Sequence, residues 1–153
     1  MSSTVRAEMV NLKEFQAQLK RLGGAVAGKK LAEAGEAGLL LIQNAAKEKA
    51  PKLTKTLSRS IHTEVLETSA YHAVVAVGTD VIYGPIQEFG GVITPKKAKA
   101  LHWVSRQTGE DVFAQRVVIP PHPYLRPAWD ENIQRTIEKI KTVLVSLLKA
   151  AAA

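Results

Sequence analysis

Trp129, Ile133, Ile137, Ile140, Leu144 and Leu147 follow one another at spacings of four, four, three, four and three residues. That rhythm places all six on one stripe of an α-helix. A helix with one long apolar stripe has to bury it against another layer, so the rest of the chain must supply that surface. Lys139, Lys141 and Lys149 lie toward the C-terminal part of the stretch, where positive charge suits the helix dipole.

Two upstream stretches share the helical period. Leu12, Phe15, Leu19 and Leu22 mark one face of a first helix. Asn11 and Glu14 are placed to cap it as a capping box, and Gly23-Gly24 breaks or ends it. A second helix is predicted from about Lys29 to Lys49, with Leu31, Ala34, Gly38, Ile42, Ala45 and Ala46 as its buried stripe. Small residues in that stripe allow another backbone to come close. Ala50-Pro51 ends it, because a residue before proline is pushed out of the helical region.

The middle of the chain reads as strand. "SIHTEVLE" alternates Ile61, Thr63 and Val65 against His62, Glu64 and Leu66, and "HAVVAVGT" is a small apolar run suited to a central strand. The segment 67–71 turns between them and makes an antiparallel pair. "KALHWVS" and "DVFAQRVVIP" form a second hairpin around "RQTGED", where Thr108-Gly109 can take the positive φ of a tight turn. Pro120-Pro121 ends the second arm, since proline has no N–H to give a ladder. The expected fold is α+β: an antiparallel sheet of about four strands packed by N-terminal helices and a long C-terminal helix, with a projecting β-hairpin arm. The 153 residues are expected to make one domain, 1–153.

Composition narrows the chemistry. The chain has no cysteine, which removes thiolate ligands and thiol nucleophiles. His62, His72, His102 and His122 are scattered without an HxH or HxxxH pair, so no metal site is expected. Glu88 has no acidic neighbour with catalytic spacing. The hydroxyls of "KLTKTLSRSI" fall where Leu53, Leu57 and Ile61 mark a short helical turn, and are read as caps or solvent-facing groups. No catalytic residue and no cofactor is expected. No apolar run approaches the ~20 residues of a membrane span, and "MSSTVRAEMVNLKEF" has no signal-like apolar core. The formal net charge is +7, which either favours an acidic partner (nucleic acid, an acidic protein surface or an anionic membrane) or serves solubility alone. Lys52, Lys55, Arg59, Lys96, Lys97 and Lys99 cluster in loops and form the candidate surface for DNA or a partner.

Two stretches remain. In "YGPIQEFGG", Pro85 starts a short helical turn, and Tyr83, Ile86 and Phe89 fall on one face that would anchor it to the sheet. In "HPYLRPAW", Tyr124 and Leu125 plug the core and Pro127 falls in the first turn of the closing helix. Arg126 is a lone charge there, and its forked guanidinium would bind the Glu88 carboxylate at two points.

With "APKLTKTLSRSI" these motifs, in this order, resemble the tail-completion or head–tail joining family of long-tailed bacteriophages, related to minor tail protein Z. That family commonly reads AP-x-x-T-G-x-L-x-x-S-I, then VG…YA-x-x-x-EFG, then P-x-P-F-L-R-P-A. Lys55 stands here at the usual glycine, Gly84 at the usual alanine and Tyr124 at the usual phenylalanine. The resemblance implies a structural virion protein without catalysis. It would form a ring, six-fold in the expected form, in the neck between the DNA-filled head and the tail. Partners would be other copies of itself, a head connector protein, a tail terminator or tube protein, and DNA in the channel through non-specific contact. It would be made in the host cytoplasm and would touch no membrane. The 90–120 segment, long for a connection in a compact domain, is the expected site of ring contacts. The alternative is a sequence-independent basic nucleic-acid-binding protein of the same fold class, which would carry stacking aromatics on an exposed sheet face.

Overall fold

The computed structural model describes residues 17, 20, 21, 23–52 and 55–152. Of the predicted first helix, Ala17, Lys20 and Arg21 are helical, while Asn11, Leu12, Glu14, Phe15, Leu19 and Leu22 lie outside the described residues, as does Leu53. The order of elements is α1 (Gly24–Lys49), α2 (Thr56–Ser60), β1 (His62–Ser69), β2 (His72–Gly78), α3 (Gly84–Phe89), β3 (Gly91–Ile93), β4 (Leu101–Val104), β5 (Asp111–Ala114), β6 (Val117–Ile119) and α4 (Leu125–Ala152). This is an α+β fold.

The frame is the pair of long helices. α1 starts directly after Gly23, earlier than the periodicity indicated, and stops at Ala50, whose extended ψ of 141° obeys the following proline. α4 runs antiparallel to it. Tyr124 and Ala128 at the start of α4 cluster with Ile42, Ala46 and Ala50, whereas Leu144 near its end clusters with Ala27 and Ala34. A Cβ on Gly38 would overlap Ile140 and come within 3.1 Å of the Thr136 carbonyl, so only glycine allows this approach. Lys49 and Glu131 pair at 2.9 Å across the same junction. Trp129, Ile140, Leu144 and Leu147 of the predicted α4 stripe pack in these clusters, Ile133 and Ile137 are half-buried, and Ala128 and Thr136 are buried as well. The Thr136 hydroxyl is buried with no hydrogen-bond partner among the described residues, a cost of about 1–3 kcal/mol accepted inside the helix interface.

β1 and β2 pair antiparallel through a two-residue turn at Ala70-Tyr71, with an irregularity between Val65 and Glu67. Their inner side packs on α1: Val75 and Val77 join Leu39, Ile42, Leu57 and Ile61 in the main core. β2 differs from its expected central position. The strands form three two-stranded antiparallel ladders, β1-β2, β3-β6 and β4-β5, and β2 has no strand on its second edge among the described residues. A continuous apolar run suits burial of both faces, but here β2 packs on α1 and stays half-buried from residue 73 to 78.

The arm is a hairpin in two storeys. β3 and β6 pair at its root and β4 and β5 beyond it. "DVFAQRVVIP" was expected as one strand, but Gln115-Arg116 divides it, so its two halves pair with different partners. In the outer turn Gly109 takes φ 74° and Thr108 does not take a positive φ. β4 and β5 pack mainly against each other and leave the body of the protein.

Candidate functional site

The "YGPIQEFGG" and "HPYLRPAW" stretches meet at the start of α4. The first amides of any helix lack intrahelical acceptors. Here Glu88 supplies them from α3. Its Oε2 accepts the amides of Tyr124 and Leu125 at 2.8 and 2.9 Å, and its Oε1 accepts that of Arg126 at 2.8 Å. The next residue is Pro127, which has no amide to satisfy. One carboxylate and one proline therefore account for the whole first turn, and negative charge at that end also suits the helix dipole. The Glu88 side chain is only 7% exposed, so its three charge-assisted bonds form away from competing water.

This corrects the expected Glu88–Arg126 ion pair. Arg126 meets Glu88 through its backbone amide, while its side chain is exposed and pairs with no carboxylate among the described residues. It also corrects the anchoring face of α3. Tyr83 and Phe89 are 41% and 71% exposed, and the inward residues are Gly84 and Glu88, one helical turn apart. Aiming Glu88 at α4 turns Phe89 outward, because neighbours on a helix differ by about 100° in direction. Tyr124 is 2% exposed and Leu125 packs against the core, as expected.

Two departures from the family-like pattern touch each other. A Cβ on Gly84 would meet the Tyr124 hydroxyl at 3.2 Å and the Thr79 methyl at 2.6 Å. The extra oxygen of tyrosine thus occupies space that the missing methyl of glycine leaves. Burial first, and then the Glu88 charge, push the Tyr124 hydroxyl above the ordinary tyrosine value of 10.0. Around it Ser60 bonds the Leu57 carbonyl at 2.8 Å and Thr79 Oγ1 at 2.5 Å, Ser58 donates to the Lys47 carbonyl at 2.9 Å, and the His122 amide donates to the Gln87 carbonyl at 2.7 Å. The hydroxyls read as local caps do bond backbone carbonyls.

The junction opens on a groove of about 1190 Å³, lined by β2, α3 and the first turns of α4, with Val75, Val77, Phe89, Leu125 and Trp129 among its apolar walls. The arm is the second exposed feature. Val92, Trp103, Val104, Phe113 and Val118 are all exposed there. His102 stacks on Phe113 with ring centroids 4.7 Å apart and bonds Asp111 at 2.7 Å, which stiffens the outer hairpin. Sequence reading located the arm but not its apolar surface, because alternation alone does not tell which face of a free hairpin is covered.

The six loop cations fall in two places. Lys52, Lys55 and Arg59 lie around α2, and Lys96, Lys97 and Lys99 lie between β3 and β4. All six are exposed and none makes an ion pair among the described residues. Lys55 takes φ 58°, the single positive φ outside glycine among the described residues, which explains why glycine is the usual residue in the motif it resembles. No group of three potential metal ligands occurs among the described residues, and no described helix is long and apolar enough to cross a membrane.

A family profile described as "Bacteriophage HK97-gp10, putative tail-component" matches residues 13–90. The match takes in the "APKLTKTLSRSI" stretch and all but the last glycine of "YGPIQEFGG", and stops before the arm and "HPYLRPAW". No curated protein and no solved structure matches the chain.

Proposed function

From the premise that this chain belongs to the HK97-gp10-like family of bacteriophage tail components, we propose that it forms a ring in the neck of the virion that joins the DNA-filled head to the tail. Membership makes it a structural, tail-related virion protein. The finer placement draws support from one observation above all: the arm carries apolar side chains that the protein itself leaves uncovered. Large exposed apolar patches mark protein contacts, and in a structural component those contacts are with other copies and with the next proteins in the stack. A connector on the head side and a terminator or tube protein on the tail side are the proposed neighbours, with six copies as the proposed ring. The kinship to minor tail protein Z belongs to the same proposal.

Negative-stain images of the purified protein are expected to contain closed rings, and virions labelled against it to carry label at the head–tail junction. Label along the tail shaft or at its far end would rule out the neck. Reversing the charge of Lys52, Lys55, Arg59, Lys96, Lys97 and Lys99 is expected to reduce DNA retention or tail attachment while the monomer stays folded. Full yields of tailed particles would leave the basic excess a matter of solubility.

A second reading draws on Phe113, which is stacked with His102 yet 68% exposed on the outer hairpin. Exposed aromatics beside cations suit single-stranded nucleic acid. That reading expects salt-dependent binding of single-stranded DNA that Phe113→Ala weakens at least tenfold; binding unchanged by the substitution would dismiss it.

A further inference from the structure

The free edge of β2 lacks the devices by which edge strands avoid pairing with other chains. Such edges are normally blunted by charge, proline or bulges. β2 reads "HAVVAVG", without an acidic residue, a lysine or a proline, and Ala73–Gly78 are half-buried throughout. Its partner β1 is protected in the ordinary way, with Glu64 and Glu67 along it and a break in register between Val65 and Glu67. The unprotected edge borders the apolar groove. None of residues 90–123 lines that groove, although the arm leaves and rejoins the body at its rim, after Phe89 and before Tyr124.

Charge adds a direction. The arm from Gly91 to Ile119 holds five cations, Lys96, Lys97, Lys99, Arg106 and Arg116, against Glu110 and Asp111. The groove itself carries Glu88, Asp130 and Arg126. Glu64 and Asp80 stand on the neighbouring surface at the adjoining end of β2, Asp80 at 3.9 Å from His62. A basic apolar hairpin and an apolar groove whose surroundings hold more carboxylates than cations are carried by the same chain and do not meet within it.

We propose that the groove receives the β4–β5 arm of a second copy, one strand of that arm adding to the free edge of β2. Strand addition couples main-chain hydrogen bonds with side-chain pockets, and Trp103, Val104 and Phe113 are the side chains available to fill them. Donor and acceptor are different patches on one chain. Such a contact is heterologous, and repeating it generates a closed ring when the rotation closes. The inference rests on the ring reading and supplies its interface.

The chain has no cysteine, so introduced thiols report alone. Two arm variants, Val104→Cys and Phe113→Cys, would each be mixed with two groove variants, Ala76→Cys and Phe89→Cys, and oxidised at a concentration where the parent is oligomeric. A covalent dimer is expected in arm–groove mixtures and not from either partner alone. Phe113→Asp, a change at an exposed position, is expected to abolish oligomers while the melting temperature stays within about 2 °C of the parent, as for a substitution away from the core. Rings that form without any arm–groove cross-link, or an arm variant that cross-links to itself, would overturn the docking and leave the ring standing. Arm–groove cross-links between assemblies that never close would keep the docking and sink the ring. A parent that stays monomeric at every concentration and gives no cross-link would remove both.

Discussion

The Glu88 carboxylate accepts the Tyr124 amide at 2.8 Å across 36 residues of sequence. This contact closes the base of the arm, since everything between the two residues leaves the body and returns. It also makes a side chain from one helix the cap of another. A remote cap holds α3 and α4 in register as no local Ser or Asp could, because moving either helix breaks several bonds together.

Glu88→Ala leaves three amides without an acceptor at a mostly buried site. The expected loss is about 3 kcal/mol, given about 1–3 kcal/mol for each unsatisfied buried group and partial access of water. At this chain length that is a fall of roughly 6–12 °C in melting temperature. Glu88→Gln, which keeps one oxygen, should lose less than half as much. Arg126→Ala should melt within about 0.5 kcal/mol of the parent, as for an exposed side chain without a partner. Thermal melts of the three variants decide between the amide cap and a guanidinium pair, since a pair would make the Arg126 and Glu88 losses alike.

The raised hydroxyl of Tyr124 fixes a pH dependence. The folded protein holds this proton to higher pH than the unfolded chain does. The stabilisation is therefore fully present below the ordinary tyrosine value near 10 and lost as pH rises through that value toward the folded one. Urea midpoints measured from pH 8 to 11 should fall above pH 10 more steeply in the parent than in Tyr124→Phe. Parallel curves would show that Tyr124 ionises as it does in water.

Gly84 and Tyr124 should be coupled. Gly84→Ala places a methyl against both the tyrosine hydroxyl and Thr79, and overpacking of this kind costs about 1–3 kcal/mol. In a Tyr124→Phe background the hydroxyl is gone and the same substitution should cost at least about 0.5 kcal/mol less, a coupling typical of residues in contact. A double-mutant cycle measured by denaturant unfolding gives this term directly, and strict additivity would mean that the two positions do not share space.

Lys55→Gly should stabilise the protein. A left-handed residue with a Cβ costs about 1–2 kcal/mol, and glycine gives back up to about 1 kcal/mol through the freer unfolded chain. The expected net gain is up to about 1 kcal/mol, read as a higher melting temperature. Lys55→Ala, which keeps the Cβ, should gain nothing. Equal behaviour of the two variants would place any gain in the lost charge rather than the backbone.

Much of this architecture is written locally in the chain. The α4 stripe, the stop at Pro51, the β1-β2 hairpin, the turn at Gly109 and the end of the arm at Pro120 each follow from side-chain period or from backbone restrictions that act within a few residues. Such signals survive in a linear reading because the physics that produces them is itself local. What only the tertiary structure decided is of another kind. Glu88 and Arg126 were legible as lone charges, but opposite charge suggested a partner that the fold did not use. The actual partners are main-chain amides, which every residue except proline carries and no sequence pattern marks. The outward turn of Phe89, the division of "DVFAQRVVIP" at Gln115-Arg116 and the open edge of β2 have the same origin. Each depends on which partner the backbone meets in three dimensions, another strand, a helix end or none, and no residue of the strand or turn concerned marks that choice.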